Sequence, residues 1–170
     1  MQEAKTAMRA KSHRPSGTLN RRVNVVAAAA LIHTGDGRYL MQLRDDRAGV
    51  AMRGRWGIFG GLVESGEFVE AAIARELKEE LVRVPRRKPR WFSEICYDLT
   101  FAKPRPAMHR KVLFELRVSE AEVRAMELRE GERMRLWRPE QLHRMSNVVP
   151  WDLLAVTMHA QRRAIERAFR

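Results

Sequence analysis

The sequence predicts an α/β fold, and three stretches carry that prediction. Val25 to Ile32 reads VVAAAALI, a near-continuous apolar run of the kind found in a strand covered on both faces. From Phe68 to Leu81 the pattern turns helical, with Ala72, Ile73 and Leu77 as an apolar stripe. Pro150 to Phe169 shows the same spacing at Leu153, Leu154, Val156, Ala160, Ala164 and Ile165, so a long terminal helix is expected to pack on the rest of the chain.

Taken in order, residues 1–22 read as a basic, polar arm with no apolar core of a secretory signal, and residues 23–170 as a single domain that includes the C-terminal helix. The first strand, VNVVAAAALI, is followed by the turn chemistry of HTGDG and a second strand, RYLMQLR, as a hairpin. DDRAGVAMRGR is a polar, glycine-containing loop, and WGIFGG a short strand that ends at its glycines. After the helix, RVPRRKP is a break. WFSEICYDLTF and HRKVLFELRV then read as two strands around the loop AKPRPAM. SEAEVRAMEL is either a short helix or an irregular crossing, REGERMRLWR turns back into the sheet, and PEQLHRM offers one helical turn behind Pro139.

Composition narrows the class of protein. Hydrophobic residues at 45% and charged residues at 32% place the chain among soluble globular domains. Its longest apolar run falls far short of the roughly 20 residues of a membrane span, so no membrane partner is expected. A lone cysteine, Cys96, excludes an internal disulfide, and together with the missing signal it implies a reducing cytoplasm. The formal net charge of +12 is concentrated at the ends: Lys5, Arg9, Lys11, Arg14, Arg21 and Arg22 stand against Glu3, and four arginines of the last ten residues against Glu166. Such ends either attract polyanions, nucleic acid included, or are simply solvated.

Within this basic chain, FGGLVESGEFVEAAIARELKEEL gathers carboxylates. Glu76, Glu79 and Glu80 are three and four residues apart and share one helical face, where each like-charge pair costs about 0.2–0.5 kcal/mol. Arg75 reaches Glu79 one turn on, but one arginine cannot neutralise three acids. A hard divalent cation can, since Mg2+ is held by a few carboxylates and keeps waters for a phosphate to replace. Gly60 and Gly61 let a ligand or metal approach the backbone, and Glu67 and Glu70 sit where a helix N-terminus favours negative charge. The competing reading is a solvated face completed by Lys78 and Arg83.

The spacing Gly61, Glu67, Arg75, Glu76, Leu77, Lys78, Glu79, Glu80 resembles the Nudix box, G-x5-E-x7-R-E-U-x-E-E-x-G-U, where U is a bulky aliphatic. The flanking WGIFGG and QLRDD are similar to members of that family as well. The likeness lapses at the end of the box, where Val82 and Arg83 replace the glycine and the aliphatic residue, so the helix exit is expected to differ. The resemblance implies an α/β/α sandwich with a mixed β-sheet and a loop-helix-loop metal site. It implies hydrolysis of a nucleoside diphosphate linked to another group, with Mg2+ or Mn2+ as cofactor. Carried onto this chain, Glu76 and Glu80 become principal metal ligands, Glu79 a further ligand or the base, and the Gly60 carbonyl a possible ligand. Arg75 would orient a glutamate, and Gly61 and Glu67 would support the site.

Outside the box, Glu130 in REGER is a second candidate base or an exposed loop acid. Arg44, Arg53 and Arg55 are candidate phosphate contacts or surface charges. Trp56 and Phe59 could stack on a base, though strand alternation favours burial for at least one. His33, His109 and His143 receive no role. A small nucleotide, such as a nucleoside triphosphate, is the expected substrate. Removal of diphosphate from RNA 5′ ends and nucleotide sensing without turnover are the alternatives. Oligomerisation through the terminal helix is left open.

Overall fold

Strand β1 (Val25–Thr34) is the spine of a seven-stranded mixed sheet. In the computed structural model, which describes residues 25–100 and 107–169, β1 runs parallel to β7 (Ala107–Val118), from Val25 opposite His109 to Thr34 opposite Val118. The other pairings are antiparallel. β2 (Tyr39–Leu43) turns back on β1, β4 (Phe59–Leu62) lies along its first half, and β6 (Arg90–Leu99) continues the sheet beyond β7. β3 (Trp56–Gly57) and β9 (Arg133–Trp137) both pair with β2. The predicted N-terminal arm lies outside the described residues.

Side chains alternate across β1, and each set meets a different layer. Ala28, Ala30 and Ile32 pack with Phe114 and Leu116 against Ala72, Ile73 and Leu77 of helix α1 (Val69–Glu80). Ala29 and Leu31 pack with Met41 and Leu113 against Leu142 of α3 (Pro139–His143) and Ala155 and Val156 of α4 (Pro150–Ala160). The result is an α/β/α sandwich around a mixed sheet. Leu77 is fully buried, so its truncation to alanine costs about 2–5 kcal/mol.

Four elements refine or change the sequence reading. WGIFGG is two strands, because Trp56 and Gly57 pair with β2 whereas Phe59 to Leu62 cross to β1; between them the Ile58 amide donates to Asp152 instead of a strand. Of the two readings of SEAEVRAMEL, the short helix holds, as α2 (Glu120–Ala125), opened by a Ser119/Glu122 capping box. The terminal helix divides at Gln161 into α4 and α5 (Arg162–Ala168), and Arg162 reaches Glu115 at 2.7 Å. The exit of α1 needs no glycine at Val82, since Leu81–Val82 form β5 against β8 (Glu127–Leu128), and the left-handed conformation falls on Arg83 at φ 60°.

Candidate active site

The site begins where β4 delivers two glycines beside β1, with Gly60 opposite Ala29 and Gly61 opposite Ala28. Gly60 has φ 127°, and a Cβ there would collide with the Ala28 carbonyl oxygen. A Cβ on Gly61 would stand 2.5 Å from both carboxylate oxygens of Glu76. The glycines therefore make a cradle into which Glu76 of α1 fits.

Glu80, at the end of α1, is buried with 7% of its surface exposed. One carboxylate oxygen accepts from the Gly60 amide at 2.7 Å and the other from the Gln42 side-chain amide. Burial pushes its pKa up to about 7, against the pull of these two hydrogen bonds and with repulsion from Glu76 adding to it. Burial also raises the Glu76 pKa, opposed by Arg75 and reinforced by Glu79 and Glu130. Burial thus favours the neutral form of both carboxyls, a cost that a nearby cation would offset.

Arg75 organises the rest. Its Nε and Nη2 donate to the two oxygens of Glu67 at 3.0 and 2.9 Å, and Nη1 donates to Glu76 at 2.8 Å and Glu79 at 3.0 Å. Nη2 also reaches the Leu62 carbonyl at 2.9 Å. One guanidinium thus ties the loop to the helix, and its hydrogen bonds, with the Glu64 amide, hold Glu67 below the usual carboxylate range. Glu79 is half exposed at this rim.

A cavity of about 600 Å³ opens beside Glu80 and Glu130 and is lined also by Gly60, Gly61, Gln42 and Arg44, whereas Glu76 and Glu79 are not in its lining. The Glu130 loop is fastened by the Arg129 amide to the Glu80 carbonyl at 2.8 Å and the Glu132 amide to the Leu43 carbonyl at 2.9 Å. Of the three arginines singled out in the sequence, Arg44 lines the cavity, its Nε donating to the Ala51 carbonyl at 2.8 Å. Arg53 pairs with Asp46 at 3.4 Å and Arg55 with the Ser146 carbonyl at 3.0 Å, and neither is in the cavity wall. Trp56 and Phe59 are core residues.

The same cavity is lined by residues to which the sequence reading gave no role. Tyr97 stacks between His109 at 5.3 Å and Trp151 at 4.6 Å, and buried Lys111 and Asp152 form an ion pair at 2.6 Å. A lysine inside the apolar run KVLFEL, and an aspartate in PWDLLAV, were the available signals: a charge embedded in a buried segment needs a partner.

As a metal site the glutamates offer the all-oxygen donor set that suits a hard divalent ion, with the Glu76 carboxylate packed directly over Gly61. Glu76 and Glu79 are turned toward Arg75, so holding a cation requires them to swing from it. The group whose donor atoms lie within 4.8 Å of one another, among the described residues, is a different one: His33, Glu115 and His159. No helix among the described residues is long and apolar enough to cross a membrane.

Comparison with known proteins gives local sequence likeness and global fold likeness. Over 47 residues the chain is 49% identical to the nucleoside triphosphatase NudI of Escherichia coli O139:H28, a match covering 27% of this chain and 32% of that protein. It therefore spans about a third of the length of such curated relatives. The MutT protein of Methanosarcina mazei Go1 superimposes with a TM-score of 0.63 at 19% identity, over 82% of this chain and 94% of that one. The NUDIX domain of Shewanella oneidensis NrtR, solved with ADP ribose, gives 0.65 at 17% identity, over 83% and 89%. The family model of the NUDIX domain matches residues 23–156, taking in the glycine cradle, the α1 acids and the aromatic wall, and the chain belongs to the Nudix family.

Proposed function

We propose that the protein is a Mg2+- or Mn2+-dependent hydrolase that cleaves a diphosphate linkage in a small nucleotide, by attack of water at phosphorus. The observation that carries this reading is the buried Glu80 beside Glu76 and the paired glycines, at the mouth of a cavity large enough for a nucleotide. The names of the nucleoside triphosphatase relative and of a neighbour, the E. coli dihydroneopterin triphosphate pyrophosphohydrolase (TM-score 0.57, 19% identity, 81% of this chain and 95% of that one), support a triphosphate substrate.

A hard divalent ion at the carboxylates supplies charge neutralisation of the diphosphate, orientation and acidification of a water. The chain's own groups do the rest. Gln42 and the Gly60 amide fix both oxygens of Glu80, so its carboxylate faces the cradle in one orientation. Arg75 sets Glu76 and Glu79 relative to the Glu67 loop. Arg44, at the mouth, meets phosphate charge. Glu130 faces the same space and has no ion-pair partner among the described residues, whereas Glu79 is held by Arg75; Glu130 is thus the better acceptor for the water proton. A nucleobase stacks on an open end of the His109, Tyr97, Trp151 series.

The test is a turnover screen across nucleoside triphosphates, nucleotide sugars, ADP-ribose and dinucleoside polyphosphates, with and without divalent ion. Hydrolysis that requires the ion and drops at least about 100-fold in Glu80→Gln, with an unchanged circular dichroism spectrum, is the expected result. Tight nucleotide binding with no turnover under either metal would replace the hydrolase by a sensing domain.

A further inference from the structure

At the far end of the sheet from the glutamates, three strands and a helix converge on a second polar cluster. His33 lies five residues beyond Ala28 on β1, about 17 Å along the strand, with Tyr39 of β2 as its cross-strand partner. Glu115 of β7 and His159 in the last turn of α4 complete the group, and donor atoms of all three lie within 4.8 Å of one another. We propose that His33, Glu115 and His159 form a second metal site, for a borderline transition ion such as Zn2+.

The His159–Glu115 separation suits such an ion, and His33, whose donor lies within 4.8 Å of the other two, closes on it by a side-chain shift. His159 Nε2 stands 3.0 Å from Glu115 Oε2. Two donors on a tetrahedral zinc with bonds of about 2.0–2.1 Å lie roughly 3.3 Å apart, so an ion enters between them with a small opening of that pair. The outer nitrogens are already turned to protein oxygens, as in metal-bound imidazoles generally. His159 Nδ1 is 2.7 Å from the Tyr39 hydroxyl, and His33 Nδ1 is 3.4 Å from the Thr34 carbonyl, a longer approach. The Tyr39 hydroxyl both donates and accepts. It donates to Nδ1 while Nε2–H bonds Glu115, and accepts from Nδ1–H once Nε2 carries the ion.

Arg90 at 2.6 Å and Arg162 at 2.7 Å bond the Glu115 oxygens, orienting the carboxylate and compensating its charge. Arg117 also stands near His33 and Arg138 lines the cavity over the trio, so four guanidiniums disfavour a cation held by charge alone. Affinity therefore rests on the imidazoles, which separates this site from the oxygen-only glutamates and selects against Mg2+. That cavity, of about 560 Å³, gives an ion a path in.

The test uses the full chain, stripped of metal, with Mg2+ saturating and Zn2+ titrated against a chromophoric indicator. Wild type is expected to bind one Zn2+ that Mg2+ does not displace, and the Co2+ form to show visible absorption typical of tetrahedral nitrogen and oxygen ligation. His33→Gln, which leaves the Tyr39, His159, Glu115 hydrogen bonds in place, is expected to weaken binding more than about 10-fold, and Tyr39→Phe about 10-fold. Glu80→Gln leaves Zn2+ affinity unchanged, so this result stands apart from the hydrolase reading. Absence of Zn2+ binding, displacement by Mg2+, or equal affinity in His33→Gln overturns the proposal and leaves the trio as a hydrogen-bond fastening for α4.

Discussion

Glu80 carries opposing demands at a single residue. Its carboxylate is fixed by Gln42 and Gly60, yet burial raises its pKa to about 7 from an ordinary 4.5. A raised acid pKa means that the folded state binds the proton more tightly than the unfolded chain, so this group's share of stability is lost as pH rises from about 4.5 through 7. Metal-free wild type is expected to lose melting temperature across that window, and Glu80→Gln to lose less of it. Adding Mg2+ at pH 7.5 should restore wild type and leave the variant nearly unmoved; differential scanning calorimetry at four pH values checks this. Identical slopes for the two proteins would assign the pH dependence to other groups.

The strand-to-helix passage behaves as a unit, and its two glycines do different work. Gly60 is bound by backbone, so Gly60→Ala meets both its φ of 127° and the Ala28 carbonyl and should cost about 3 kcal/mol. At Gly61 the added methyl meets only the tip of Glu76 and no unusual dihedral angle, so Gly61→Ala is expected to fold normally while turnover falls about 100-fold through a misplaced carboxylate. Chemical denaturation beside kcat separates the two. This passage was legible in the sequence because it is local: a period of 3.6 alone puts Glu76, Glu79 and Glu80 together, and the glycine spacing sets their distance from the turn. The exit at Val82 was less so, because its conformation depends on Glu127, 45 residues on, whose strand gives Val82 a partner.

Across the whole molecule, the cavity joins the two faces of the sheet. Lys111 and Asp152 clamp α4 to β7, and Asp152 also accepts from the Ile58 amide at 3.1 Å. Removing one member leaves a buried charge unpaired, so Lys111→Met is expected to cost about 3–5 kcal/mol. The double variant Lys111→Met, Asp152→Asn should recover part of that loss, because asparagine still accepts from Ile58; a thermal melt of each protein decides it. The aromatic stack was hidden from the sequence because tertiary contacts assemble it. The β6–β7 register sets Tyr97 opposite His109, and only the docking of α4 brings the distant Trp151 beside them.

The parallel pairing of β1 with β7 sets an order of assembly. Val25 meets His109 across 84 positions of chain, whereas Gly61 meets Ala28 across 33. Closing the longer loop costs more entropy, and distant pairings slow a folding reaction. The acidic half of the pocket is therefore expected to gather early in refolding, and the parallel pairing of β1 with β7 later.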